Sequence, residues 1–265
     1  MKKLEFFIVA TILLLTFTAC NNQNSNNNHN NVTLDNENES SYNNFELSYD
    51  YIKSNAVLSY PAQNDEWKYN VYTDNTGTYE KFVELTDCFI DSNTDHLSIP
   101  DTIDEYPVIA LGNYLFANYY ITSIVIPDSV IYIGEGCCKD CFKLSEITLS
   151  NSLTKVCKNA FNGTALNSLV LPESLKEVEF GAFYISYINS EDKYTIDELI
   201  LPETLEKIGQ SSFRAEKITV LNPNLEFANT YQNNYCFTTD VVYGYIDSTA
   251  ALYCAEENET FVALE

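Results

Sequence analysis

Residues 124–138 read Ile124-Val125-Ile126-Pro127-Asp128-Ser129-Val130-Ile131-Tyr132-Ile133-Gly134-Glu135-Gly136-Cys137-Cys138. Two aliphatics flank a third residue, Pro follows, then a polar pair, a second apolar group, Gly, and a close-set pair of buriable side chains. The phrase recurs along the chain. Its copies open Leu97-Ser98-Ile99-Pro100, Ile124-Val125-Ile126-Pro127, Ile147-Thr148-Leu149-Ser150, Leu169-Val170-Leu171-Pro172, Leu199-Ile200-Leu201-Pro202 and Ile218-Thr219-Val220-Leu221. Their starts lie 27, 23, 22, 30 and 19 residues apart, so the shared unit is close to 23. The second apolar group is Val108 and Ala110, Val130 with Tyr132 and Ile133, Leu153 and Val156, Leu175 and Val178, then Leu205 and Ile208. The closing pairs are Leu115-Phe116, Cys137-Cys138, Ala160-Phe161, Ala182-Phe183 and Ser212-Phe213. Self-similarity at a fixed period marks a repeat architecture.

The spacing has a physical cause. Alternation places both aliphatics of Ile-x-Ile on one face of a strand. Pro cannot donate to a ladder and ends that strand. The small-Phe pair predicts a short helical or 3₁₀ return with Phe turned inward. One such turn cannot bury its own apolar face, whereas stacked turns bury a continuous column.

These residues resemble the BspA-like leucine-rich repeat of bacterial surface proteins. The likeness rests on residues 124–130 with Ile133-Gly134-Glu135-Gly136 and Cys141, and on Leu201-Pro202-Glu203-Thr204-Leu205-Glu206-Lys207-Ile208-Gly209. It covers roughly 97–227 and implies a mainly β repeat solenoid, a right-handed coil of about six turns. Ile99-Pro100-Asp101-Thr102-Ile103-Asp104-Glu105-Tyr106-Pro107-Val108 is similar to the segment that opens such arrays, with Glu105 where Gly is usual. Val242-Tyr243-Gly244-Tyr245, Tyr253-Cys254-Ala255 and Phe261-Val262 are similar to the family's terminal segment. Residues 228–265 are therefore expected to form a C-terminal cap of strand, turn, short helix and strand. Three departures stand out. Residues 184–195 carry about seven extra positions and predict a protruding loop. Cys138 replaces the usual Phe and predicts slack in the core. Glu179 falls where Gly is usual.

Ahead of the repeats, 45–96 is rich in Tyr, Phe and Val. Trp67-Lys68-Tyr69-Asn70-Val71-Tyr72 alternates, and Asn75-Thr76-Gly77 is a turn signal, so a β-rich N-terminal cap is expected. The first 19 residues have the form of a signal peptide, with Lys2 and Lys3 before an apolar run from Phe6 to Phe17. Phe17-Thr18-Ala19-Cys20 resembles a bacterial lipobox, though Leu is usual at Phe17; the resemblance implies lipidation of Cys20 and a membrane anchor. An ordinary signal peptide with an incidental Cys20 is the alternative. Residues 20–44 are Asn-rich, bury little, and are expected to be a disordered tether with a reach of roughly 25–30 Å. His29 lies within it.

The formal net charge is −24. Such a field repels nucleic acid and argues against it as a partner. Cys138-Lys139-Asp140-Cys141 has C-x-x-C spacing but lies inside a repeat, without the βαβ context of a redox motif. Core packing is the leading reading for Cys138, Cys141 and Cys157, with a structural disulfide second; pairing among Cys88, Cys137, Cys138, Cys141, Cys157, Cys236 and Cys254 stays open. Asp91, Asp95, Asp101 and Asp104 lack the EF-hand pattern. Neither a catalytic constellation nor a metal or cofactor motif appears, so no enzyme, metal or cofactor is expected, and the chain is expected to be a monomer.

The strand faces offer the candidate binding surface. One outward ladder is Val125, Thr148, Val170, Ile200 and Thr219; the other is Ser123, Glu146, Ser168, Glu198 and Lys217. The first is apolar for a solvent face, which marks an interaction site. The leading expectation is a lipid-anchored protein facing the cell exterior that binds a protein or glycan through this face. A non-catalytic structural envelope module is the second reading. A carbohydrate-active enzyme is the third.

Overall fold

The computed structural model describes residues 49–91, 94–185, 196–228 and 235–264. The expected signal peptide, Cys20, the 20–44 tether and residues 186–195 of the expected loop lie outside them. In chain order the elements are α1 (Tyr49–Asn55), β1 (Ala56–Gln63), β2 (Trp67–Asp74), β3 (Lys81–Cys88), β4 (His96–Ser98), β5 (Thr102–Ile103), β6 (Tyr106–Leu111), β7 (Ser123–Val125), β8 (Tyr132–Ile133), β9 (Glu146–Thr148), β10 (Lys155–Val156), β11 (Glu177–Val178), β12 (Glu198–Leu201), β13 (Lys207–Ile208), β14 (Phe213–Arg214), β15 (Lys217–Val220), β16 (Glu226–Phe227), β17 (Phe237–Thr238), β18 (Val241–Gly244), α2 (Thr249–Glu257) and β19 (Phe261–Ala263).

Most repeats supply two strands, one to each of two faces of the coil. The second apolar group builds a long sheet in the order β1-β2-β3-β6-β8-β10-β11-β13-β16. From β3 onward this ladder is parallel. That makes about seven turns, one more than the six repeat copies, because β3 adds a strand ahead of the first. At its start β1, β2 and β3 form an antiparallel meander. The turn expected at Asn75-Thr76-Gly77 joins β2 to β3. There Asp74 accepts hydrogen bonds from the backbone N–H of Thr76 at 2.7 Å and of Tyr79 at 2.8 Å. Burial would raise the Asp74 carboxyl, but these donors and the Thr76 hydroxyl outweigh it and hold the group below its ordinary value.

The Ile-x-Ile phrase builds the second face, and here the register is tight: Leu97 lies opposite Ile124, Ile124 opposite Ile147, and Leu199 opposite Ile218. All five side chains are buried or half-buried. The inward aromatics form a column of their own. Phe161 stacks on Phe183 at 5.1 Å between centroids, and Phe183 on Phe213 at 5.4 Å. Cys138 sits fully buried in the Phe position between Phe116 and Phe161, against the thiols of Cys137 and Cys141.

The returns differ from the short helical or 3₁₀ segments that the spacing predicts. They are successive turns, and every second N–H is spent between turns. In one repeat Cys137, Lys139 and Cys141 donate locally to Gly134, Gly136 and Cys138, in 3₁₀ fashion. Gly136, Cys138 and Asp140 donate instead to Lys158, Ala160 and Asn162 of the next turn. A helix would consume all these donors itself and leave the turns unlinked. The alternation needs left-handed kinks, found at Tyr114, Gly136, Asn159, Gly181 and Ser211, and again at Asn118, Asp140 and Gly163.

Two places where Gly is usual illustrate two different demands. Glu105 sits at φ 69° beside Asp104 at φ 52°, in the tight turn between β5 and β6. A side chain is strained there. Glu105→Gly is expected to raise stability by about 1 kcal/mol, read as a higher midpoint in thermal unfolding; an unchanged or lower midpoint would count against the strain. Glu179 carries no such kink. Its equivalents Gly134 and Gly209 are tied to close approach: a Cβ on Gly209 would lie 2.4 Å from the Phe180 nitrogen. Glu179 fits because its carboxylate turns outward, taking a hydrogen bond from the Lys158 N–H at 3.0 Å.

The tail follows the expected order, β18, turn, α2 and β19. Ser248 caps α2, accepting from Ala251, and Asn258 ends it in a left-handed conformation. Tyr253 of α2 stacks on Phe227 at 4.5 Å and accepts a hydrogen bond from the Cys236 N–H. The last turn of the column is thereby covered.

Candidate interaction surface

Eight of the ten residues of the two outward ladders lie on strands built by the Ile-x-Ile phrase. Ser123 and Val125 lie on β7, Glu146 and Thr148 on β9, Glu198 and Ile200 on β12, Lys217 and Thr219 on β15. Strand pairing sets Ser123 opposite Glu146 and Val125 opposite Thr148, and sets Glu198 opposite Lys217 and Ile200 opposite Thr219. Ser123 and Thr219 are half-buried and the others exposed.

The ladder is not continuous. Ser168 and Val170 belong to a segment that forms no strand and pairs with neither β9 nor β12. The face is therefore two sheets, β4-β7-β9 and β12-β15-β18-β19, with Ser168–Leu171 between them. The break falls in the 30-residue repeat. The result is a groove of about 310 Å³ with Val170, Leu171, Ile200 and Pro202 in its walls and Glu173 and Glu198 at its rim. Val170 is 83% exposed and Ile200 52%.

The surface also runs further than the repeats reveal. Ser98 on β4 lies opposite Val125, and on the far side Thr219 lies opposite Tyr243, which lies opposite Val262. The stripe thus reads Ser98, Val125, Thr148, Val170, Ile200, Thr219, Tyr243, Val262. It holds no ionisable carboxylate or amine in a chain of net charge −24. The alternation in Val242-Tyr243-Gly244 could have shown the extension.

The second sheet is the opposite in character. Lys155, Glu177, Lys207 and Glu226 stand in register on adjacent strands, one charge sign after the other. Lys155 pairs with Glu177 at 3.2 Å and with Glu179 at 3.0 Å, and Lys207 approaches Glu226 at 3.9 Å. These residues sit just before Val156, Val178, Ile208 and Phe227, so the pattern was present in the sequence.

All seven described cysteines are buried and outside any disulfide. Burial pushes the Cys138 thiol well up, and pushes those of Cys236 and Cys254 up to about 12. The Cys141 thiol is raised by its hydrogen bond to Cys138 and by burial, and it donates to the Phe116 carbonyl at 3.0 Å. Thiols held protonated in this way are poor nucleophiles and poor metal ligands. Among the described residues, no group of His, Cys, Asp or Glu is arranged to hold a metal ion. Among the same residues no helix is long and apolar enough to cross a membrane.

Short parallel strands on two faces, joined by hydrogen-bonded returns around an aliphatic and phenylalanine core, define a leucine-rich-repeat solenoid with an open sheet face. The chain belongs to the BspA type Leucine rich repeat region family, matched in six copies over residues 109–241. Compared with curated proteins it matches none. Among solved structures, it is similar to a leucine rich cell surface protein from Faecalibacterium prausnitzii A2-165, with 18% identity and a TM-score of 0.51 over 72% of this chain and 55% of that one. A leucine-rich repeat protein from Bacteroides ovatus ATCC 8483 shares 22% identity, with a TM-score of 0.47 over 71% of this chain and 56% of that one. The leucine rich repeat protein of T. pallidum shares 13%, with a TM-score of 0.47 over 77% of this chain and 98% of that one. The chain spans little more than half the length of the first two.

Proposed function

We propose that this protein is displayed on the outside of a bacterial cell, anchored through lipidated Cys20, and recognises another protein through the uncharged stripe from Ser98 to Val262. One observation carries the reading. An acidic chain keeps a row of eight outward positions free of charge across both face sheets, and exposes Val170 and Ile200 beside a groove at its centre. Solvent faces of solenoids have no need of exposed aliphatics, whereas extended contacts use them as anchors. Ser168–Leu171 also leaves its backbone outside both ladders, where an extended segment of the partner finds hydrogen-bonding groups. Glu173 and Glu198 at the rim, with the acidic field of the whole chain, favour a partner whose apolar ridge is flanked by Lys or Arg. Surface display is supported by the F. prausnitzii protein, a cell surface protein of the same fold. A saccharide fits this stripe poorly, because Val170 and Ile200 at its centre offer neither an aromatic plate nor a hydrogen-bonding side chain.

Photo-crosslinking tests the reading and identifies the partner in the same step. A benzophenone amino acid at position 170 or 200, in the full chain on its own cells, is expected to give a discrete protein adduct. The same probe at Phe142, an exposed residue off the stripe, is expected to give none. No adduct from 170 and 200, or equal labelling from 142, would sink the proposal.

A further inference from the structure

The charged sheet carries a second recess, of about 550 Å³, lined by residues of the turns that hold β10, β11, β13 and β16. Its volume is within the roughly 300–1,000 Å³ of small-molecule sites. Two departures from the repeat meet in it. After each inward residue of this sheet the pattern is a small residue and then a polar one: Gly134-Glu135, Cys157-Lys158, Gly209-Gln210. The equivalent pair after β11 is Glu179-Phe180. Packing does not require Phe180, since its ring is 40% exposed. Packing does not require Glu179 either, since its carboxylate points out of the column to the Lys158 N–H. Both line the recess.

We infer that this recess binds an uncharged pyranose unit of a glycan, stacked on Phe180. A pyranose has an apolar C–H face and a rim of hydroxyls that donate and accept. The recess offers the complement: a half-exposed aromatic plate, with the Lys158 ammonium 5.8 Å from its centroid, ringed by Glu177, Lys207, Gln210 and Glu226. The acceptors are preorganised. Lys155 holds Glu177 and Glu179 together from below, at 3.2 and 3.0 Å. Gly209 keeps the floor flat beside the ring, where a Cβ would strike the Phe180 backbone. Charge selects the ligand class. Two lysines and three glutamates line the recess, so its own excess is negative and adds to the field of a chain at −24. Uronic and sialic acids are disfavoured by that sign. This site lies on the charged sheet and does not depend on the protein contact proposed for the other face.

Titration calorimetry on the full chain tests it with three probes: chitotriose, cellotriose and trigalacturonate. At least one of the two neutral trisaccharides is expected to bind saturably, with Kd near or below about 1 mM. Phe180→Ala is expected to weaken that binding by about tenfold or more, and Phe180→Trp to retain it. Trigalacturonate is expected not to bind. The Val170→Lys, Ile200→Lys double variant, altered on the other face, is expected to bind sugar as the unaltered chain does. The proposal is overturned if neither neutral probe binds at about 10 mM, if Phe180→Ala binds undiminished, or if trigalacturonate binds as well as the neutral sugars. It is equally overturned if Phe180→Ala loses a protein partner while no saccharide binds, because the recess is then part of a protein contact.

Discussion

Phe183→Ala is expected to remove about 3–5 kcal/mol of folding stability. Phe183 is 1% exposed and stands in the middle of three parallel rings, between Phe161 and Phe213. Its loss opens a cavity and strips a stacking partner from both neighbours. The surrounding chain has little freedom to collapse, since the return that holds Phe183 is bonded on both sides. Phe161 donates its N–H to Ala182, and Phe183 donates its own to Ser212. In a solenoid each turn contacts only the next, so damage in the middle turn weakens both halves. Phe180→Ala, three residues away with its ring half-exposed, is expected to change stability by no more than about 0.5 kcal/mol. Urea unfolding of the two variants provides the comparison. A loss below about 1 kcal/mol for Phe183→Ala would mean that the aromatic column is not what holds the turns in register.

That column was legible in the sequence because burial and period both report on it. Ala160-Phe161, Ala182-Phe183 and Ser212-Phe213 recur at one phase of the repeat, and a large aromatic at a fixed phase has to face the core. The returns were less legible. Their path depends on left-handed kinks, and only some of those are marked by Gly. Gly136 and Gly181 advertise the position, whereas Tyr114, Asn159 and Ser211 occupy the same conformation without the usual sign. Propensity alone reads such segments as 3₁₀ helix. What decides against it is the demand of the next turn for donors, which a local reading cannot include.

The interaction face divides in the same way. Alternation determines which side chains point outward, so Val125, Val170 and Ile200 were identifiable. Whether two adjacent strands pair depends on the spacing between turns, and no pattern in Leu169-Val170-Leu171 reports that. The groove at the break therefore had no sequence signature beyond the longer repeat that follows it. Ser98 was within reach, since Leu97-Ser98-Ile99-Pro100 is a full copy of the phrase. Tyr243 and Val262 were missed for another reason: they belong to the capping strands β18 and β19, where the phrase is absent although alternation persists. The Lys155, Glu177, Lys207, Glu226 ladder was readable, since each charge precedes an apolar residue of the second strand group at a constant offset. The recess beside it was not, because its shape follows from Gly209 packing against Phe180 across two turns.

The stripe is tested most directly by replacing its two central aliphatics. In the Val170→Lys, Ile200→Lys double variant both side chains are already exposed and neither position takes part in the core, so the thermal midpoint is expected to stay where it was. Binding is expected to fall steeply. Two apolar anchors are lost, and two ammonium groups are set against the basic flanks inferred for the partner. Both losses act on the same complex, and each anchor contributes on the order of 1–2 kcal/mol. The affinity for the protein captured by crosslinking at position 170, measured by surface plasmon resonance, is expected to drop by about 100-fold or more. An affinity unchanged in a variant with an unchanged thermal midpoint would contradict the account and place the contact elsewhere on the solenoid.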